Sequence, residues 1–327
     1  MFKKYVLTAL SLLLLTSCSN IKNNESIYLS IAAYDRDSLT MYTFDIDTKQ
    51  LKKYETVKTT NVDQAAIIDP DVQTIYYSDR NLLGDKTEFR YHDGDNIYSY
   101  NYKKQITTKL TDGTRFLKLE DQLLIPIQGF VTYDLPQHEP TNFKLDPDIF
   151  FVTYNINPIT KEFVTTAISY TESIQKRQQY ETTNLYENTK NKLYTYKDGK
   201  LQYITETKPG NIKTIAINDS YIIYHLFDET IDGKETYSQQ YVQFDGFLTY
   251  NRLTHETTSG ILNVNDPNIN QLLYLSKDQT YLICTYKKNT NNSNHELVKY
   301  NLNDQTYEVL LTLNKNLLNS YMAVIKK

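Results

Sequence analysis

The chain has no tryptophan, two cysteines and five histidines among 327 residues, and its acidic side chains outnumber the basic ones, 39 to 35. Each shortage excludes something. Without a basic excess there is no electrostatic footprint for nucleic acid, so no nucleic-acid partner is expected. Nor is there a polybasic grip on anionic lipid. His92, His138, His225, His255 and His295 form no i, i+2 or i, i+4 pair, so local spacing supplies no metal ligand set, and neither a metal site nor a cofactor is expected. The acidic pairs Asp35/Asp37, Asp45/Asp47 and Asp93/Asp95 lie near turn signals and complete no calcium loop. No G-x-S-x-G elbow, H-E-x-x-H, phosphate-binding loop or S-x-x-K occurs, so no catalytic residue is assigned. The apolar stretch at residues 5–15 is too short for a membrane-spanning helix, which needs roughly 20 residues.

What is present is β-forming chemistry. There are 30 tyrosines and 12 phenylalanines, threonine and isoleucine are abundant, and alanine is scarce. Aromatic and β-branched side chains suit a pleated, half-buried surface. The heavy use of Asn, Lys, Ile and Tyr points to an AT-rich genome, as in low-GC Gram-positive bacteria.

The first residues read as a secretory signal. Lys3 and Lys4 form a charged start, and residues 5–15 form a short apolar core. They end in Leu15-Thr16-Ser17-Cys18, which resembles the lipobox of bacterial lipoproteins: an aliphatic residue, two small residues, then cysteine. The resemblance implies that the Cys18 thiol receives a diacylglyceryl group and that cleavage before it makes Cys18 the mature N-terminus. Each buried CH₂ contributes about 0.8 kcal/mol, so two acyl chains hold where one is marginal. Residues 1–17 are then the signal peptide, the polar, Asn-rich residues 18–26 a lipidated tether, and residues 27–327 one large all-β domain. The mature chain would carry 33 basic and 39 acidic side chains, a formal charge of −6. With Cys18 acylated, Cys284 has no partner for an intrachain disulfide. Its setting, Tyr281-Leu282-Ile283-Cys284-Thr285-Tyr286, reads as a core strand with a buried thiol.

One pattern recurs through the rest: an apolar-alternating strand, an aromatic, a turn built on Asn or Asp, and a second strand. It occupies residues 41–51, 97–106, 151–163, 193–201, 247–254 and 297–307. The aromatics before the turns are Phe44, Tyr100, Tyr154, Tyr196, Tyr250 and Tyr300, spaced 56, 54, 42, 54 and 50 residues apart. A hairpin cannot bury a face alone, whereas four-stranded units of roughly 40–50 residues stack around a common axis. Residues 74–78, 122–127, 220–224 and 280–284 are candidates for inner strands preceding the hairpins. The expectation is a β-propeller of six blades, with seven as the alternative because the fourth unit is short. Residues 320–325 have no hairpin of their own. They are expected to pair beside residues 27–32, closing the ring through its terminal strands and leaving no open edge.

Ile75-Tyr76-Tyr77-Ser78-Asp79-Arg80, Asn96-Ile97-Tyr98-Ser99-Tyr100-Asn101 and Lys109-Leu110-Thr111 together resemble the repeat of TolB-type propellers. Tyr34-Asp35-Arg36-Asp37 before Met41-Tyr42 echoes it. The resemblance implies the fold and carries no activity, because propellers host unrelated functions. Two connections, residues 133–148 with Pro136, Pro140 and Pro147, and residues 227–240 with Asp228, Glu229, Asp232 and Glu235, are read as long loops and candidate parts of a binding face. The second is alternatively an elongated hairpin. The expected function is a membrane-anchored, extracytoplasmic lipoprotein whose propeller binds a protein, peptide or cell-wall glycan without catalysis. The alternative is an extracytoplasmic hydrolase or lyase with its groups in the propeller's funnel.

Overall fold

The structure, a computed structural model, describes residues 27–326 apart from 36–37, 60–64, 81–94, 114, 128, 181–188, 231–240, 261, 263, 265, 288–294, 314–316 and 318–319. Residues 1–26, read from the sequence as signal and tether and including Cys18, lie outside the described residues, as do His92, Asp37 and Asp93.

Among the described residues twenty-four strands form six four-stranded antiparallel sheets, the blades of a six-bladed propeller. Blade 1 has the order β24 (Tyr321–Lys326), β1 (Ile27–Asp35), β2 (Ser38–Asp45), β3 (Gln50–Lys58). Blade 2 is β4 (Ala66–Asp69), β5 (Thr74–Arg80), β6 (Asp95–Asn101), β7 (Ile106–Asp112), and blade 3 is β8 (Leu117–Leu119), β9 (Gln122–Ile127), β10 (Gly129–Asp134), β11 (Glu139–Phe143). Blade 4 is β12 (Ile149–Asn157), β13 (Glu162–Ser169), β14 (Lys190–Lys197), β15 (Lys200–Pro209). Blade 5 is β16 (Asn211–Ile217), β17 (Tyr221–Thr230), β18 (Tyr241–Asn251), β19 (Glu256–Thr258), and blade 6 is β20 (Ile269–Leu275), β21 (Tyr281–Lys287), β22 (His295–Asn301), β23 (Tyr307–Leu313).

Burial falls from axis to rim. In β1 both faces are covered, from Ile27, Leu29 and Ile31 on one side to Ser30 and Ala32 on the other. In β3 nearly every residue is exposed or half-buried. Blades converge near the axis and flare outward, so inner strands are sandwiched and read as apolar runs, while outer strands carry Lys, Thr and Glu. The core is a chain of clusters between neighbours. Leu39, Met41, Ile68 and Ile75 join blades 1 and 2, Phe116, Phe130, Phe151 and Phe163 join blades 3 and 4, and Val164 and Tyr224 join blades 4 and 5. Phe247, Leu282 and Tyr300 join blades 5 and 6, and Leu29, Phe44, Ile283 and Leu297 join blades 6 and 1.

The turns share one grammar. Asp45, Asn101, Asp134, Asn251 and Asn301 each accept main-chain N–H bonds from residues two or three further on. The last turn residue, Lys49, Gln105, His138, His255 or Gln305, is left-handed with φ between 55 and 61°. Asx side chains stabilise this geometry by bonding their own backbone. Blade 4 uses instead the two-residue turn Asp198-Gly199, both at positive φ.

Six blades and terminal closure are as expected, but the assignment of segments differs in four places. Residues 74–78, 122–127, 220–224 and 280–284 fall in second strands, inside the outer hairpins as expected, but a further strand precedes each of them (β4, β8, β16, β20) and lines the axis. Residues 151–163 and 193–201 are both hairpins of blade 4, which explains their spacing of 42. The outer hairpin of blade 3 is β10–β11, with Tyr133 before the turn, inside the segment read as a loop. Pro140 sits in the outermost strand, where a missing N–H leaves no gap in a ladder. Finally, helix α1 (Tyr170–Tyr180) lies between β13 and β14. Ser169 caps it, accepting the Glu172 N–H at 3.0 Å, and the sequence carries that signal as Ser169-x-x-Glu172.

The ring closes by β24 pairing with β1 from Ile27↔Lys326 to Ala32↔Tyr321, burying Met322, Ala323 and Val324. Fully burying an apolar side chain stabilises by about 1.5–3 kcal/mol, and a typical domain has only about 5–15 kcal/mol in hand. Truncation before Ser320 should therefore unfold or aggregate the protein, whereas deleting Lys326 and Lys327 should change little. A truncated chain that stays monomeric with the wild-type melting temperature would refute the role of closure.

Candidate functional site

The innermost strands β24, β4, β8, β12, β16 and β20 all run in one direction, so the two ends of the propeller differ. Every connection at their C-terminal end has five residues or fewer. Their N-terminal end carries the long connections: residues 81–94, the segment containing α1, residues 231–240, 259–268 and 288–294. The β17–β18 ladder reaches Thr230↔Tyr241, so residues 227–230 of the segment read as 227–240 continue the strand, and residues 231–240 lie outside the described residues.

The strands pinch together toward the short-turn end. Asn157 Nδ2 donates to Ile217 O at 2.8 Å and Leu275 O at 3.0 Å. Asn155 Nδ2 donates to Ile215 O at 2.6 Å and Leu272 O at 2.9 Å, and Asn218 Nδ2 to Ser276 O at 2.8 Å. These amides satisfy carbonyls on inner edges that have no further strand to pair with. Also at this end, Arg252 grips the buried Glu162 through two bonds, Nη1–Oε2 at 2.8 Å and Nη2–Oε1 at 2.6 Å, tying blades 4 and 5.

Toward the other end the strands part around a cavity of about 490 Å³, within the range of small-ligand sites. Its polar wall includes Arg115, Thr153, Tyr154, Lys213, Asn270 and Gln271, and its apolar wall includes Leu117, Val152, Met322 and Val324. Arg115, just before β8, and Lys213, in β16, line the cavity together with Tyr154 of β12. Burial pushes the Tyr154 phenol up to about 12, opposed by Arg115, which hydrogen-bonds it. Tyr321 donates its hydroxyl to Phe116 O at 3.0 Å. Burial, with Tyr154 and Tyr34 nearby, pushes its phenol well above the usual range. Both phenols are therefore neutral donors at physiological pH. Among the described lining residues there is no carboxylate, imidazole or thiol.

The residues singled out by sequence fall elsewhere. His138 and His255 occupy left-handed turn positions at the short-turn end, where Tyr133 and Tyr250 hydroxyls meet their Nδ1 atoms at 3.4 and 2.9 Å. His225 stacks on Phe247 at 4.7 Å between ring centroids. Cys284 is a buried core thiol whose pKa burial pushes up, the opposite of an activated nucleophile. Asp45 organises a turn and Asp47 is exposed beside it. Among the described residues no group of three or more His, Cys, Asp or Glu could hold a metal, and no helix is long and apolar enough to cross a membrane. Arg115, Tyr154 and Lys213 had no local signal as a site, because they meet only through the ring.

No protein-family model matches the chain, and no curated protein matches it in sequence. Solved structures do match in fold. The tricorn protease is 11% identical with a TM-score of 0.51 over 91% of this chain, which spans 30% of the length of that one. Pyrococcus horikoshii acylaminoacyl peptidase is 10% identical at a TM-score of 0.47, covering 86% of this chain and 43% of that one. A chain of a nidogen/laminin complex is 8% identical at 0.46, covering 91% and 97%. At 11% identity the likeness to the tricorn protease is one of fold alone.

The buried phenols set an alkaline limit. Tyr77, Tyr154 and Tyr224 are raised to about 12 from the usual 10.0, chiefly by burial. Below pH 10 these phenols are neutral in both folded and unfolded chains, and their contribution is constant. Above it the unfolded chain releases protons that the folded chain retains, so stability falls as pH rises through 12. Tyrosinate absorbance from these residues should appear together with loss of β circular dichroism, and Tyr154→Phe with Tyr224→Phe should flatten that limb. Full titration near pH 10 with the fold intact would contradict the burial.

Proposed function

We propose that the protein is an extracytoplasmic lipoprotein of the cell membrane, anchored through Cys18, whose TolB-like propeller binds a carboxylate-bearing peptide or cell-wall glycan fragment in its channel without chemistry of its own. The composition of the channel wall carries this reading: a guanidinium, an ammonium, a phenol and amides on an apolar background. Arginine's planar fork matches a carboxylate, and the neutral Tyr154 adds an O–H donor beside it. The hydrolase alternative would require a nucleophile or general acid and base at the reacting bond, for which the described wall supplies no carboxylate, imidazole or thiol. The anchor rests on the lipobox-like Leu15-Thr16-Ser17-Cys18 and the signal before it.

Two expected outcomes test the two halves. Cys18→Ala should abolish lipid labelling and release the protein or leave precursor, and normal labelling with membrane retention would refute the anchor. For the channel, glucuronate or trialanine should raise the melting temperature, while glucose and trialanine amide raise it less. Gln271→Trp, which fills the cavity, should remove the effect, and Arg115→Gln should remove the preference for the acid. Turnover of any of these compounds, seen by mass spectrometry, would sink the non-catalytic reading.

A further inference from the structure

Among the described residues eight large apolar side chains are exposed, and five of them stand at one end of the propeller; Tyr203 in β15 of blade 4 and Val309 further along β23 are exposed away from those turns. Leu253 is 87% exposed in the outer turn of blade 5, and Val72 is 51% exposed in the inner turn of blade 2. Ile106 at 55%, Leu51 at 39% and Tyr307 at 37% stand at the first or second residue of the outermost strands of blades 2, 1 and 6. All five lie at or beside turns of the short-turn end. Blades 5, 6, 1 and 2 are consecutive around the ring, so the five form one arc of that rim. Tyr170, 48% exposed at the start of α1, belongs to the opposite end.

The chain enters at the same place. β1 begins at Ile27, opposite Lys326, at the short-turn end of blade 1 and in the middle of this arc. Cys18 precedes Ile27 by nine residues, a length of chain that reaches at most about 30 Å, so a lipid on Cys18 would lie within that distance of this end. A diacyl group on Cys18 would hold this end near a bilayer, where exposed apolar side chains gain by entering the headgroup boundary. With an expected mature charge of −6, the chain as a whole gains no attraction to anionic lipid, so the apolar side chains are the contact proposed.

We infer that the arc formed by Leu51, Val72, Ile106, Leu253 and Tyr307 is a membrane-seating surface, which sets the propeller short-turn end down on the bilayer and points the channel mouth away from it. The inference rests on the reading of Cys18 as lipidated. Seating turns a flexible tether into a fixed orientation: the cavity faces the envelope space rather than the lipid.

The absence of native tryptophan gives a clean test. Single reporters Leu253→Trp, Ile106→Trp and Tyr170→Trp are placed in the full lipidated chain, reconstituted on phosphatidylglycerol/phosphatidylcholine vesicles. Leu253→Trp and Ile106→Trp should shift to shorter emission wavelength on the vesicles and be quenched by brominated acyl chains, while Tyr170→Trp should do neither. Val72→Trp replaces either reporter that fails to fold. Cosedimentation with vesicles but no quenching at the rim, or equal quenching at Tyr170→Trp, overturns the seating and leaves the anchor standing. Failure of the lipidated chain to cosediment overturns both.

Discussion

The pairing of β24 with β1 is the contact on which the ring depends. Each blade buries its faces against two neighbours, so a gap anywhere exposes two sheets at once. The chain supplies the innermost strand of blade 1 last and the other three strands first. Until the two ends meet, blades 6 and 1 have no shared core, and Leu29, Phe44, Ile283 and Leu297 stay open to water. The entropy of closing so long a loop grows only slowly with length, so burial at the seam can outweigh it. Non-local pairing of this kind makes for slow folding.

The axis poses a second problem, because six innermost edges face one another with no further strand to satisfy them. At the short-turn end the solution is side-chain amides, with Asn155, Asn157 and Asn218 spanning β12, β16 and β20. At the other end the edges are left apart, and the gap is the cavity. Rigidity and ligand space are thus divided along one axis. The long connections all join strand ends at the open end, where the chain can vary in length without disturbing the tight turns that set blade register.

The proposed anchor and the proposed channel site use opposite ends of this axis. Ile27 lies at the closed end, and the apolar arc surrounds it. A propeller seated in this way offers its cavity, its helix and its long β17–β18 ladder to whatever lies beyond the membrane. The cationic cavity stands out in a protein of acidic balance, and it draws on Arg115 and Lys213 from blades 3 and 5 together with Tyr154 of blade 4.

Much of the fold is determined locally and was legible in the sequence. The alternation of apolar residues, the Asn or Asp turns and the apolar last strand give blades, their number and their closure, because each reflects a period-2 pattern or a turn that few residues permit. The lipobox-like segment is also a local signal. Local patterns misled where one motif serves two positions: the hairpin of residues 151–163 looks like an outer hairpin but is an inner one, and the prolines of blade 3 concealed a real edge strand. The capping signal of α1, Ser169 and Glu172, stands among strand-forming neighbours that mask it. The site itself had no local trace. Arg115, Tyr154, Lys213 and Tyr321 are scattered over some two hundred positions, each unremarkable beside its sequence neighbours. Closing the ring is what brings them to one cavity, just as it brings Leu51, Val72, Ile106, Leu253 and Tyr307 to one rim. Sequence fixes the strand and the turn, since those depend on a few adjacent residues. Which side chains face one another across the axis depends on the order and tilt of all six blades, and only the tertiary structure decides it.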